Sequence, residues 1–216
     1  MKYPALRYAV TALLLSGACS AYAADSSYWY SGLGTGYSRL QFFSADFTSN
    51  GDRTESKRTF DAGFKGFLGY QMNRNWAAEL SYVSVGKFPY RYTNTTTGVT
   101  QQDDYKVTGW GISALPTIPL TRNLSVYGRF GAFLSQARIQ FYNFNSELGF
   151  NPKGTLEDEI SFLSGFGIQY FFGGDTGMRI EYENFGQVGS VCNTSTTSCS
   201  GRANAKMISA NVVFKF

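Results

Sequence analysis

The feature that most constrains the fold is a period-two alternation of apolar and polar residues, which recurs in eight segments along the chain. Each segment has about the 9–11 residues that a tilted β-strand needs to cross a bilayer. In the stretch Gly66–Tyr82, one parity carries Leu68, Tyr70, Trp76, Leu80 and Tyr82. The other parity carries Gly69, Gln71, Glu79 and Ser81. The pattern predicts strands whose two faces meet different surroundings.

The connections between these segments alternate in length. Three are short turns, at Asn73–Asn75, Pro119–Asn123 and Gly173–Gly177. Four are long polar stretches, predicted as loops, at Ser44–Arg58, Pro89–Asp104, Phe141–Asp158 and Gly186–Arg202. Short turns at one end and long loops at the other are typical of outer-membrane barrels, whose periplasmic turns are short.

We therefore predict an all-β fold, an eight-stranded antiparallel up-and-down transmembrane β-barrel. Closing the sheet leaves no edge whose backbone groups would stay unpaired in lipid. A soluble periplasmic barrel of lipocalin type is the alternative, with its apolar face turned inward. Three features favour the membrane barrel: small and charged residues share one parity, aromatic residues cluster at strand ends, and the last residue is Phe216. The apolar parity then faces lipid, and the other parity lines a packed polar lumen.

Composition agrees with a β-rich protein of one domain. Of the 216 residues, 43% are hydrophobic, 17% are aromatic and only 16% are charged. Aromatic and β-branched side chains suit the pleated surface of a sheet. The formal net charge of +4 is scattered along the chain, so no nucleic-acid partner is predicted.

Residues 1–23 have the pattern of a cleaved secretory signal peptide. Lys2 and Arg7 give a positive start, Ala9–Ala18 an apolar centre, and Ala21–Ala23 a small-x-small cleavage site. A membrane-anchoring helix is the alternative, but the apolar run is well short of the roughly 20 residues that span a bilayer. Cys19 raises the possibility of a lipidated start, although the leucine expected three residues earlier is absent. We expect residues 24–216 to form the barrel domain.

Two cysteines remain after this leader, Cys192 and Cys199, both in the fourth long stretch. Export into an oxidising compartment favours a disulfide between them. Metal binding is the weaker alternative, because the chain has no histidine and no second cysteine pair nearby. We predict no metal and no cofactor.

Aromatic residues at the turn ends of the strands predict a periplasmic girdle, since amphipathic rings prefer the membrane interface. Its members are Trp29, Tyr70, Trp76, Phe172 and Phe216. The final strand also alternates through Val212, Phe214 and Phe216. This ending is similar to the terminal signal that the barrel-assembly machinery recognises, so that machinery is a predicted partner during biogenesis.

Four segments carry a family resemblance: Trp29–Gly32, Gly69–Asn73, Pro119–Thr121 with the following Leu124, Tyr127, Arg129 and Gly131, and Arg179–Tyr182. In this order and spacing they resemble the transmembrane domain of the outer membrane protein A family and its eight-stranded relatives. The resemblance implies the outer membrane of a Gram-negative bacterium, with membrane lipid and lipopolysaccharide as surroundings. The family's C-terminal peptidoglycan-binding domain has no counterpart in this sequence, so anchoring to the cell wall is not implied.

In that family a cluster of acids and bases blocks or gates the lumen. By position, Glu79 corresponds to a cluster glutamate and Arg179 to its arginine partner. Leu115 and Gln169 stand where two other members are expected, which argues against gating by exchange of partners. Arg129 and Glu181 are further charged lumen positions that the resemblance implies.

The predicted strand order also brings Glu79 and Arg179 together. They lie on the third and seventh strands, which stand opposite each other in an eight-stranded barrel, and both closely follow a periplasmic turn. A buried charge is costly alone, and pairing largely offsets that cost. Together with Lys65, Arg129 and Glu181, the pair predicts a plug of lumen ions. An ion pathway is the alternative.

The predicted function is structural, with membrane integrity and loop-mediated adhesion or resistance to host factors as its forms. The alternative function is a narrow pore for small solutes or ions. No catalytic residue is predicted, because without histidine no Ser–His or Asp–His pair is available. Aromatic residues in Phe88–Tyr92 and Phe141–Phe144 are candidates for gripping sugars, lipopolysaccharide or a host protein, or are the upper ends of strands.

Overall fold

The computed structural model of the chain describes residues 27–42, 53–57, 59–94, 100–143, 155–189 and 202–216. Nine strands run through these described residues: β1 (Tyr28–Phe42), β2 (Arg53–Lys57), β3 (Phe60–Asn73), β4 (Trp76–Asn94), β5 (Thr100–Pro119), β6 (Leu124–Asn143), β7 (Thr155–Phe171), β8 (Thr176–Val188) and β9 (Ala203–Lys215). Within the same ranges, no helix has the length and apolar character to cross a membrane.

The eight long strands close into an antiparallel barrel. Each long strand pairs with the next along the chain, and β1 closes the sheet against β9 from Tyr30↔Lys215 to Phe42↔Ala203. The short strand β2 pairs with β4 beyond the end of β3, so β2 and β3 together occupy one interrupted place in the barrel. The predicted fold class is confirmed.

The outer face of the barrel is apolar on every long strand. Large hydrophobic side chains point away from the lumen and are exposed, among them Leu33, Phe64, Leu80, Trp110, Phe130, Phe166, Ile180 and Val212. An apolar surface of this extent marks contact with something other than water, and a barrel in lipid presents such a band. The direction of the two faces therefore excludes the lipocalin-type alternative.

Two of the three short turns, which the sequence predicts to be the periplasmic turns, are held by short polar side chains. Asn73 Oδ1 accepts hydrogen bonds from the backbone N–H of Asn75 (2.9 Å) and of Trp76 (3.0 Å). Thr121 Oγ1 likewise accepts from the backbone N–H of Leu124, at 3.0 Å. In the third turn, Gly173 has a φ of 97°, which a side chain would disfavour. These turns set the register in which lumen residues of neighbouring strands meet.

Several strands extend into stretches that the sequence predicted as loops. The strand β2 lies inside Ser44–Arg58, and β4 continues to Asn94 inside Pro89–Asp104. The same holds for β6 and β7 in Phe141–Asp158, and for β8 in Gly186–Arg202. The loop prediction was wrong there because a sheet that rises into water needs no apolar face, so its alternation is lost while its backbone pairing continues.

The strands extend furthest beyond the length needed to cross the membrane on one side of the barrel. The strands β4, β5 and β6 have 19, 20 and 20 residues, against the roughly 9–11 that cross a bilayer. Most of Phe88–Tyr92 and Phe141–Phe144 therefore belongs to raised strands, in β4 and β6, and Phe144 lies outside the described residues.

Candidate functional site

The lumen side chains form three zones along the barrel axis. A cavity of about 280 Å³ lies between the periplasmic turns and Arg179, and we call it the vestibule. Next comes the ion cluster, which consists of Lys65, Glu79, Arg129, Arg179, Glu181 and Glu183. Towards the extracellular end follows the apolar layer, whose members are Leu40, Val83, Val85, Phe88, Val107, Phe133, Ala137, Leu163, Phe185, Val188, Ala203, Ala205 and Met207.

The ion cluster is balanced in charge and almost fully shielded from solvent. Its three acids and three bases, counted over the described residues, are each at most 3% exposed. The sequence predicted five of these six residues, which alone would leave one uncompensated positive charge. Glu183 supplies the missing negative charge, since it accepts a hydrogen bond from Lys65 Nζ at 2.8 Å and lies 3.3 Å from Arg129 Nε. Burial of the whole group is therefore burial of a neutral network.

Glu181 lies at the centre of this network. Its Oε2 accepts hydrogen bonds from Lys65 Nζ at 2.7 Å and from Asn211 Nδ2 at 3.1 Å. Its Oε1 accepts from Arg129 Nη2 at 2.7 Å and from the Tyr127 hydroxyl at 2.5 Å. Each carboxylate oxygen therefore has at least two donors, and one donor of each oxygen is a cationic side chain.

Glu79 on β4 joins Arg179, on the opposite strand β8, to Arg129 on β6. Its Oε2 accepts from Arg179 Nη1 at 2.7 Å, and its Oε1 accepts from Arg129 Nη2 at 2.5 Å. The Tyr30 hydroxyl donates to Oε2 at 3.2 Å. The pair expected from the strand order, Glu79 and Arg179, thus meets across the lumen.

Arg179 separates the ion cluster from the vestibule. Its guanidinium lies 4.7 Å from the ring centre of Phe67, 5.0 Å from that of Tyr127 and 5.3 Å from that of Tyr30. Its Nε and Nη2 donate to Gln169 Oε1, at 2.8 and 2.5 Å. Three aromatic faces and a neutral amide oxygen thus hold the guanidinium in addition to its acids.

Glycines on neighbouring strands make room for the large lumen side chains. Tyr30 stands directly across from Gly69, and Tyr127 from Gly167. A Cβ atom at Gly69 would lie 2.2 Å from Tyr30 Cζ, and one at Gly167 would lie 2.2 Å from the Tyr127 hydroxyl oxygen. The hydroxyl end of each tyrosine ring therefore occupies the space above a glycine, from which the hydroxyl reaches a cluster carboxylate.

The apolar layer corrects the prediction of a polar lumen. Its side chains, taken from the described strands, are at most 1% exposed, and the rings of Phe133 and Phe185 lie 4.8 Å apart. An eight-stranded barrel has an interior just wide enough to be filled by side chains, so inward positions need not meet water. A bulge between Ser84 and Gly86 shifts the parity of β4 and turns Phe88 inward.

The vestibule is basic and aromatic. It is lined by Tyr28, Arg74, Arg122, Gln169, Phe171 and Lys215, among others. Lys215 Nζ lies 3.5 Å from the ring centre of Phe171 and 4.7 Å from that of Tyr28. The far end of the vestibule is formed by Arg179, so the cavity ends at the ion cluster.

Sequence reasoning missed several members of the network. Tyr30, Tyr127, Glu183 and Asn211 all take part and were not predicted as members. Gln169, which the resemblance placed at a cluster position as a replacement, also takes part, because it accepts from Arg179. For Glu183 a signal was present, because it shares the inward parity of Arg179 and Glu181. For the two tyrosines the signal was the glycine that stands opposite each of them on the neighbouring strand. This signal can be read only once the register of the strands is known.

The other predicted residues are placed as follows. The residues predicted to form the girdle, Trp29, Tyr70, Trp76, Phe172 and Phe216, lie at the end of the barrel that carries the short turns, with the rings of Trp29 and Tyr70 4.9 Å apart. Val212 and Phe214 point outward from β9.

Cys192, Cys199 and the signal peptide lie outside the described residues, so the disulfide and the cleavage stay predictions. Over the described ranges, no group of three or more histidine, cysteine or acidic residues could hold a metal ion.

A closed eight-stranded barrel with an apolar belt and a filled lumen defines an integral outer-membrane β-barrel protein. The model of the OmpA-like transmembrane domain matches residues 24–216, so the chain belongs to that family. The predicted family and the predicted location, the outer membrane of a Gram-negative bacterium, are both confirmed.

Relatives and solved structures agree with this assignment. Outer membrane protein A of Escherichia coli O157:H7 is 25% identical over 218 residues, which cover 100% of this chain and 55% of the relative. Outer membrane protein A of Serratia marcescens is 26% identical over 229 residues, with 100% and 56% covered. The chain thus spans about half the length of these curated relatives. The crystal structure of Neisserial surface protein A shares the fold, with a TM-score of 0.54, 13% identity, and 89% of this chain and 100% of that chain covered.

Proposed function

We propose that this chain is a structural outer-membrane barrel with a sealed lumen, and that it acts through its place in the membrane and the surface it presents outside. One observation carries the proposal: the ion cluster and the apolar layer fill the lumen one after the other. Neither zone resembles the polar, water-filled interior of a porin.

Each zone opposes conduction for a different physical reason. In the ion cluster, every fixed charge already has an opposite charge within about a hydrogen-bond length, so a passing ion would have to displace a buried pair. In the apolar layer, a passing ion would lose its hydration shell without gaining polar ligands. Two barriers in series favour the structural role over the alternative, a narrow pore.

Conductance across a planar bilayer tests this proposal. The purified barrel, inserted at neutral pH, should give no steady single-channel current, while a general porin in the same bilayer serves as the positive control. Steady, reproducible channels from the barrel would contradict the sealed lumen and support the narrow pore.

The surface role is supported by the raised sheet of β4, β5 and β6, which extends well beyond the length needed to cross the membrane. We propose that this sheet and the segments it carries mediate adhesion or resistance to host factors.

A strain lacking the protein would be complemented with the intact chain or with a variant in which residues 95–99 and 144–154 are replaced by short turns. The trimmed variant should assemble normally but lose attachment to host cells or survival in serum. If it behaves like the intact chain in both assays, the surface role is wrong.

Assembly by the barrel-assembly machinery remains a proposal for Val212, Phe214 and Phe216. Val212 and Phe214 are about half exposed on the outward face of β9, where another protein can reach them before the barrel closes. Deleting Phe216 should lower the amount of folded barrel in the outer membrane without changing the unfolding of the fraction that does fold. An unchanged yield would contradict this role.

A further inference from the structure

Three positively charged residues stand side by side on the outward face of the barrel, near its extracellular end. Lys87 on β4 is the direct cross-strand partner of Lys106 on β5, and Lys106 is the direct partner of Arg138 on β6. All three side chains are exposed. The bulge between Ser84 and Gly86 sets this register, because it brings Lys87 opposite Lys106. We call these three residues the cationic row.

The cationic row forms no ion pair within the part of the chain that the structure describes. Like charges directly opposite each other destabilise a sheet. Yet none of the three side chains forms an ion pair with a described residue. Three acids stand near the row in register: Asp61 Oδ2 accepts the backbone N–H of Lys87 at 2.6 Å, Asp158 stands opposite Gln136, one outward position below Arg138, and Asp104 stands two residues above Lys106 on β5. Because none of these acids pairs with a cation of the row, an external anion bound to the row would relieve its like-charge repulsion.

The rows beneath the cationic row match the layers of a membrane leaflet. Two residues towards the membrane on β5 and β6, Thr108 and Gln136 form with Ser84 a row of small or uncharged polar residues. Below it, Tyr82, Trp110 and Leu134 form an apolar row, and the rings of Tyr82 and Trp110 lie 5.1 Å apart. Each step of two residues is about 7 Å along the strand. Acyl chains, then ester and hydroxyl groups, then phosphates follow in the same order from the centre of a leaflet outward.

We propose that the cationic row binds the phosphate groups of an outer-leaflet glycolipid, the lipid portion of lipopolysaccharide. Across three strands the row spans about 10 Å, enough for more than one phosphate. Charge-assisted hydrogen bonds from two lysines and an arginine would hold the phosphates, while the apolar row contacts the acyl chains. This site is independent of the sealed lumen, because it lies on the opposite face of the sheet.

A second opposed pair, Arg39 and Lys206, lies at the same end on β1 and β9. Here the Arg39 guanidinium lies 5.3 Å from the ring centre of Phe60, which offsets part of its charge. The tighter binding is therefore assigned to the cationic row.

The test measures binding of diphosphorylated lipid A to the folded full chain in neutral detergent micelles by native mass spectrometry. The double variant Lys87→Gln/Lys106→Gln is compared with the matched control Arg74→Gln/Arg122→Gln, which removes the same charge from exposed periplasmic turns. The first double variant should bind roughly 30-fold more weakly than the parent, and the control should bind like the parent. Heat-dependent gel mobility verifies that both variants are folded.

Three results would overturn the proposal as a whole, and a fourth would overturn its choice of ligand. The first three are undiminished binding in Lys87→Gln/Lys106→Gln, an equal loss in the periplasmic control, and equal binding of lipid A stripped of its phosphates. Displacement of lipid A by inorganic pyrophosphate at equal concentration would assign the row to a soluble phosphate and overturn the lipid as ligand. Conductance measurements do not depend on any of these outcomes, so failure here is distinguishable from failure of the sealed lumen.

Discussion

The ion cluster and the apolar layer fill adjacent parts of the same lumen with opposite chemistry. In the ion cluster, each side chain is held by directional contacts, such as those that join Glu181 to Lys65 and Arg129 at 2.7 Å. In the apolar layer, side chains such as Phe133 and Phe185 are held by contact area and shape alone. Both zones exclude solvent to a similar degree.

This difference predicts how the stability of the barrel should respond when a side chain is removed from each zone. A buried charge that loses its partner keeps its desolvation cost, so the damage to the cluster exceeds the atoms removed. A lost apolar side chain costs its transfer free energy and the cavity that remains. The predictions below test this contrast through the free energy of unfolding, measured by urea titration of the barrel in lipid vesicles with tryptophan fluorescence as the signal.

The largest effect is expected for Glu181→Ala, which leaves Lys65, Arg129 and Arg179 with one acid fewer. We expect a loss of about 5 kcal/mol. The control is Ser209→Ala at the paired position on β9, which should cost less than about 1 kcal/mol. A loss for Glu181→Ala no larger than that of the control would show that the cluster is not a coupled network.

In the apolar layer, Phe133→Ala should cost about 4 kcal/mol, because Phe133 is fully buried and its removal leaves a cavity. Phe130→Ala, three residues earlier on the lipid-facing side of β6, should cost about 2 kcal/mol, since lipid can fill the space it leaves. Equal losses would mean that the layer is loosely packed.

Glu79→Ala should cost about 3 kcal/mol, because Arg179 and Arg129 each lose one acid but keep Glu181. A double-mutant cycle with Arg179→Ala isolates the direct interaction. We expect a coupling energy of about 2 kcal/mol between the two positions. Additive losses would reject a direct pair across the lumen.

The smallest effect is expected for Tyr127→Phe, which removes only the hydroxyl that donates to Glu181 Oε1 at 2.5 Å. We expect a loss of about 1.5 kcal/mol, since the acceptor is charged and buried. Tyr82→Phe is the control on the lipid-facing side and should change stability by less than about 0.5 kcal/mol. If the two variants behave alike, the tyrosine hydroxyl adds nothing to the cluster.

Much of the fold was predictable from the sequence, and the limits of that prediction lie in particular places. The alternation around Glu79 and the short turn at Asn73–Asn75 predicted strand, turn and inward face together. The predicted loops failed at β2 and at the upper parts of β4 and β5, where pairing continues above the membrane. Alternation reports a difference between two environments, so it disappears where both faces meet water.

The candidate site was predictable as a set of charges but not as a structure. Glu79, Arg179, Arg129, Glu181 and Lys65 share the inward parity, which is visible in the sequence. That the upper lumen is apolar was not predicted, because parity shows which residues point inward but not whether the space they enter holds water. The bulge that turns Phe88 inward falls at Gly86, whose φ is 116°, but a single glycine within a strand does not by itself fix where the register shifts.

By itself the sequence determined that this chain forms a closed sheet with one face towards lipid, because a strand places alternate side chains on opposite faces and lipid leaves no backbone group unpaired. Only the tertiary structure decided which inward residues meet. Closure of the barrel brings Glu79 within 2.7 Å of Arg179, 100 residues away, and adds Glu183 to complete the balance of charge. Closure also aligns Lys87, Lys106 and Arg138, because cross-strand neighbours are set by register, which turns and bulges determine and which no local pattern encodes.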